Sequence, residues 1–338
     1  MSKGKKCILL WTLLTGVLFL ANLYVGTVDI PAGTVTRVLL GGECERESWR
    51  FILLESRLPQ ALTAMLCGAA LAVSGLMLQT AFRNPLAGPS ILGINSGANL
   101  GVALVMLVSG SSVTAGSFSF SGFLAITIAA FVGSMLVMGL LLLFSAWLKN
   151  DMMLLITGIM IGYVVSSAIS LLNFFATSEG VHSYMIWGMG SFGGVSMNQM
   201  PYFFSLIGVG LLLALSLVKP LNALLLGNHY AENLGVNVQF TRHKLLFATG
   251  LLTAVTTAFC GPVSFLGLAV PHIARLVLGS SDHRLLMPLS LFAGSAIALL
   301  CNILCVLPGD DGLIPLGAVT PLLGAPVVIY VLMHHRSR

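Results

Sequence analysis

The residues of this chain that could do chemistry are few and badly placed for it. Its eleven carboxylates, Asp29, Glu43, Glu45, Glu47, Glu55, Asp151, Glu179, Glu232, Asp282, Asp310 and Asp311, all fall in loops between long uncharged runs. A proton- or sodium-coupled carrier keeps at least one ionisable group within the membrane. The one such group on offer is His272, beside Pro271, and a single histidine in a short broken helix reads as a packing or capping group rather than a proton relay. The six cysteines, Cys7, Cys44, Cys67, Cys260, Cys301 and Cys305, mostly sit in apolar runs and have no zinc-ligand spacing, so they read as small core residues and no metal site is expected. No Walker A loop exists, since the Gly-Lys pair is Gly4 with Lys5 in the basic leader, and no nucleophile is paired with a base. The chain is therefore not expected to be an enzyme, and any work it does draws its energy from elsewhere.

The elements that must carry these residues follow from composition. Of 338 residues 57% are hydrophobic and 8% charged, with a mean hydropathy of +0.98, which excludes a soluble core and points to an all-α polytopic membrane protein. A span needs about 20 apolar residues, and a charge at its centre costs roughly 2.5 kcal/mol or more, so uncharged runs mark the spans. The run at 84–148 divides at the small polar stretch Gly110 to Gly122; the run at 245–274 is either one long helix or two short ones broken at Gly261 and Pro262. Ten spans with both termini cytoplasmic put 12 Lys and Arg inside and 4 outside, whereas a single span at 245–274 gives 8 against 8. The positive-inside rule selects ten. The leader MSKGKK with Cys7 to Val28 is too long for a signal peptide and is read as a retained first helix. The net charge of +5 belongs to inner loops facing lipid, not to nucleic-acid binding. The whole chain, 1–338, is one membrane domain.

Three stretches stand out within that frame. Asn222 to Lys244 is the longest soluble-looking segment on the inner side; Asn228 can cap a short helix carrying Tyr230, Ala231, Glu232 and Leu234, Gly235 can close it, and a second turn at Asn237 to Thr241 would follow. Two such stubby helices have no core of their own, so their exposed face rests on headgroups or fits a cleft in another protein. The Gly-Pro breaks GPSILG at Gly88 and GPVSFLG at Gly261 agree apart from one insertion and face opposite sides, the pattern of an inverted repeat with a pathway at its interface. Asn84, Pro85, Gly88 and Pro89 break the helix as a plain turn or along a watery path. The outer stretch Thr177 to Met200, with Met185, Trp187 and Met189, is an aromatic belt or the mouth of a pathway for a bulky solute. Gly68 with Gly75, and Gly97 with Gly101, allow close helix approach.

From Arg57 to Met333 the chain resembles the permeases of type II ABC importers for ferric siderophores, haem and cobalamin. The resemblance rests on RLPQALTAMLCGAALAVSGLMLQTAFRNPLAGPSILGINSGA, MIWGMGSFGGV, GNHYAENLGVNV, GPVSFLGLAVPHIARL with SDHRLLMPL, and IPLGAVTPLLGAPVVIY, in the family's order. It implies a subunit of the bacterial inner membrane that pairs with a second copy, with two cytoplasmic ATPases that hold the ATP and magnesium, and with an external solute-binding protein. It further implies that 222–244, through Asn228, Tyr230, Ala231, Glu232, Leu234 and Gly235, docks on the ATPase, that Asn84, Pro85 and Leu86 form an inner gate with a second constriction at Asn150, and that Arg57 meets an acid on the binding protein. Gln60 departs from the family where a second basic residue is common, and Cys301 and Asn302 where an acid is. An ion-coupled carrier without an ATPase is the alternative reading; a non-transporting scaffold would leave the breaks and the docking loop without a purpose.

Overall fold

The computed structural model describes residues 3–108, 120–148, 151–307 and 312–335; Asn150 and most of the Gly110 to Gly122 stretch lie outside them. The described chain is helical, with no strand among the described residues. In order come α1 (Lys3–Tyr24), α2 (Ala32–Leu39), α3 (Glu47–Phe51), α4 (Leu58–Ala81), α5 (Ile94–Ala103), α6 (Phe120–Trp147), α7 (Asp151–Phe175) and α8 (Ser178–Gly188). After them follow α9 (Met200–Ser216), α10 (Val218–Leu224), α11 (Asn228–Asn233), α12 (Val238–Cys260), α13 (Leu266–Leu278), α14 (His283–Val306) and α15 (Leu316–His335).

Six helices are long and apolar enough to cross a bilayer, the bent pair α9 and α10 adds a seventh crossing, and three shorter apolar helices lie at Ile94–Leu107, Leu266–Leu278 and Leu316–Val331. Together these are the ten apolar segments expected from charge spacing. The run at 245–274 is two helices, because Gly261 takes φ +73 at the end of α12 and Phe265 takes φ +66 before α13. Arg57 does not end the outer segment as expected. Trp49 lies in a short helix, but α3 runs through a π-helical turn, Ile52–Arg57, into α4 as one rod. The turn lies just ahead of Pro59, which has no N–H to give to the preceding turn, and a wider helical ring absorbs that loss.

Helix α4 is the core of the molecule. It is buried along most of its length and packs against α14, α13, α12 and α9, while α1 and α7 keep most of their apolar surface exposed. Its glycines explain how it fits. A Cβ on Gly75 would stand 1.6 Å from the Gly267 carbonyl oxygen in α13, and one on Gly68 would stand 2.2 Å from the Gly294 oxygen in α14, so backbone lies on backbone. Gly97 and Gly101 of α5 meet Gly133 and Ala129 of α6 in the same way.

Candidate functional site

The docking loop is built from α10, α11 and the start of α12. Asn228 is the first residue of α11, not its cap; the position before it is Gly227 at φ +115, and no side chain caps the helix. The expected capping role of Asn228 is thus replaced by another, because its Oδ1 accepts a 2.7 Å hydrogen bond from Arg83 Nη2. The helix stops as expected at Gly235, φ +82, where the Val236 N–H donates to the Ala231 carbonyl at 3.0 Å and the Gly235 N–H to Glu232 at 2.9 Å. These paired bonds form a Schellman motif, and Val236 packs with buried Ala231, Ala223 and Leu224. Tyr230 and Leu234 are more than half exposed. Ala231 therefore seats the helix and the other two face outward. The second stubby turn does not exist by itself: Asn237 Oδ1 accepts from the Phe240 N–H at 2.9 Å and opens α12, so 238–241 is the first turn of a 23-residue helix.

The gate segment lies beside this loop. Asn84 Oδ1 accepts from the Leu86 N–H at 2.9 Å, an Asx turn that holds Pro85 and Leu86 at the surface while Ala87, Gly88 and Pro89 are buried. His272 Nε2 donates to the Pro85 carbonyl at 2.8 Å, a packing role of the kind expected for it. Gln79 Nε2 donates to the Leu268 carbonyl at 3.1 Å and Gln79 Oε1 accepts from Arg275. One turn away is a buried hub. Asn222 Oδ1 accepts from both the His283 N–H and Nδ1, each at 2.8 Å, and Asn222 Nδ2 donates to Asp282 at 2.7 Å. The backbone donor and the carboxylate acceptor fix this amide's orientation, so the imidazole carries its proton on Nδ1 and presents Nε2 to Thr80 Oγ1 at 2.9 Å. The Arg284 N–H, assisted by Asn222, holds the Asp282 carboxyl below the ordinary carboxylate range. Sequence reading missed Arg83, Asn222 and His283; the polar residues packed into Asn222 to Lys244 and into the α4 terminus were the signal available.

On the opposite face, Met185 and Met189 are exposed and Trp187 stacks on Tyr184 at 6.4 Å between ring centres. This segment is sewn to the edge of the second break, where the Ser191 N–H donates to the Cys260 carbonyl, and to the start of α15, where the Gly317 N–H donates to the Met189 carbonyl, both at 2.8 Å. Among the described residues only Arg83 (φ +44) and Phe265 are left-handed without being glycine; Phe265 stands within the second Gly-Pro break and Arg83 five residues ahead of the first. No cluster of three metal-ligating side chains occurs among the described residues.

The FecCD transport family matches residues 13–334. The chain belongs to that family. The vitamin B12 import system permease protein BtuC of Klebsiella pneumoniae is 36% identical over 97% of this chain and 93% of its own length, and that of Escherichia coli O127:H6 is 35% identical over 96% and 94%. A metal-chelate type ABC transporter in an inward-facing conformation superposes with TM-score 0.84 at 28% identity, covering 98% of this chain and 99% of that one. PsaBC of Streptococcus pneumoniae shares the fold alone, at TM-score 0.51 and 16% identity over 81% of this chain and 90% of that one. The FecCD chain is thus a multi-pass inner-membrane permease subunit of a type II ABC importer.

Two further positions in this FecCD permease bear on its outer side. Arg57 is buried: its Nη1 donates to the Leu23 and Tyr24 carbonyls at 3.0 Å each, and Nη2 donates to Val28. It caps the end of α1, where carbonyls lack helical partners, and is not presented to a binding protein as expected. Gln60 and Asn302, at two of the positions that depart from the family pattern, meet each other. Gln60 Nε2 donates to Asn302 Oδ1 at 2.9 Å, and Asn302 Nδ2 to Asn22 Oδ1 at 2.7 Å, a neutral chain of amides linking α4, α14 and α1.

Proposed function

We propose that this permease carries a bulky metal chelate, of the cobalamin, ferric siderophore or haem class, from an external binding protein to the cytoplasm by alternating access. The reading is carried by α11: a closed helix whose Tyr230 and Leu234 are exposed while Ala231 anchors it from beneath. That geometry suits a cleft in another protein and serves no packing need of this chain. Here α11 docks on a cytoplasmic ATPase that binds ATP and magnesium, two such ATPases serve two permease copies, and both termini lie in the cytoplasm. Asn84, Pro85 and Leu86 close the inner end of the path. Met185, Trp187 and Met189 line its outer mouth, where weak apolar contact lets a large solute pass without sticking. Binding-protein docking falls to exposed basic groups of the outer segment such as Arg37. The relatives named for vitamin B12 and metal chelates support the substrate class.

The test is uptake of labelled cobalamin, ferric siderophores and haem by cells lacking the gene, with and without the intact chain restored. Loss and rescue of one ligand, abolished by ATP depletion and indifferent to a protonophore at constant ATP, is the expected result. Uptake that follows the proton gradient instead would establish the ion-coupled carrier.

A further inference from the structure

We propose that α10 and α11 act as a lever, pivoting on the Asn222–His283 bond and moving the 84–93 gate segment through Arg83. The proposal rests on the ATPase-docking reading of 222–244 and names the residues through which that docking reaches the path. Its pivot is the buried hub. His283 is fully buried, and Asn222 accepts two hydrogen bonds from it while giving one to Asp282, so α10 is fastened to the start of α14 and, through Thr80, to α4. Beyond the pivot α10 and α11 hold to each other through Ala223, Leu224 and Ala231, with Val236 and Val238 against them, while Leu225 and Leu226 between the two helices are exposed and Gly227 turns the backbone at φ +115.

The output of the lever is the 2.7 Å bond from Arg83 to Asn228. Arg83 stands directly before Asn84, two residues past the end of α4, and its backbone is in the left-handed region at φ +44. A side-chain-bearing residue is held there only when its surroundings supply the difference from an ordinary conformation. Its guanidinium is bonded to the first residue of the docking helix. A displacement of α11 therefore pulls on the one backbone joint from which Pro85 and Leu86 hang. The gate has a second anchor in the His272 bond to the Pro85 carbonyl, which ties it to α13. Pulling at Arg83 against that anchor rotates Leu86 rather than shifting the whole segment.

The experiment uses the assembled transporter with its own ATPase and a Leu86→Cys reporter, labelled with a membrane-impermeant maleimide and read on the peptide that carries residue 86. ATP with vanadate should change the labelling rate by about tenfold, and Arg83→Ala or Asn228→Ala should reduce that response to about twofold or less, the loss expected for one charge-assisted hydrogen bond. The double variant should lose no more than either single one, because both remove the same link. Asn228→Asp keeps an acceptor facing the guanidinium and should retain the response. Thermal midpoints should be unchanged, which separates coupling from folding. A full nucleotide response in Arg83→Ala, or additive losses in the double variant, overturns the lever. A wild-type complex that hydrolyses ATP without moving the reporter overturns the gate assignment, and a chain that captures no ATPase overturns the docking reading on which both stand.

Discussion

Replacing Arg57 by alanine leaves the carbonyls of Leu23, Tyr24 and Val28 without their donor at a buried helix end. Unmade hydrogen bonds of this kind cost roughly 1–3 kcal/mol each in the folded state, less whatever water recovers. Arg57→Ala should lower the thermal midpoint of the purified permease clearly, while affinity for the loaded binding protein stays the same in the fraction that remains folded. Weakened capture with an unchanged midpoint would restore Arg57 to the docking surface. That a basic residue at this point matters was legible from its place between a charged loop and a span. Its partners were not, because they sit 29 to 34 positions away and no local pattern links them. The same limit hid the Gln60–Asn302 pair: each was visible as a departure, yet only packing of α4 on α14 brings them within 2.9 Å.

At the scale of the element, α11 was the most legible part of the site and α12 the least. The spacing of Tyr230 and Leu234 and the glycine that follows specify a short closed helix, and the structure contains it. The start of α12 was misplaced because its first two turns, Val238 to Lys244, are largely polar, so charge spacing drew the boundary at 245 while Asn237 had already capped the helix. A consequence for α11 is specific. A Cβ on Gly235 meets nothing within 4 Å, so only its φ of +82 resists substitution. Gly235→Ala should thus cost about 1 kcal/mol locally, loosening the helix end without disturbing the spans. Co-purification of the ATPase should fall in this variant and fall further in Gly235→Trp, with thermal midpoints near wild type. Undiminished capture in both would remove the helix from the docking surface.

Over the whole molecule, ten apolar segments were readable from charge spacing, and so was the echo between the two Gly-Pro breaks. The left-handed joints at Arg83, ahead of the first break, and at Phe265, within the second, were not, since nothing in a side chain's identity announces a conformation imposed by its neighbours. The polar inventory of the spans has one more consequence. What joins α4, α14 and α1 is a neutral run of amides, the described carboxylates lie in loops, near helix ends or, for Glu55, in the π-helical turn ahead of α4, and of the buried guanidiniums Arg57 lies in that same turn and Arg275 in the last turn of α13. A voltage sensor gains about 2.3 kcal/mol for each elementary charge moved through 100 mV. Rocking these helices moves almost none, so the cycle has little gating charge of its own. Uptake into proteoliposomes clamped at different potassium diffusion potentials should therefore be flat for a neutral chelate. For a charged one, the slope should count the charge on the cargo alone.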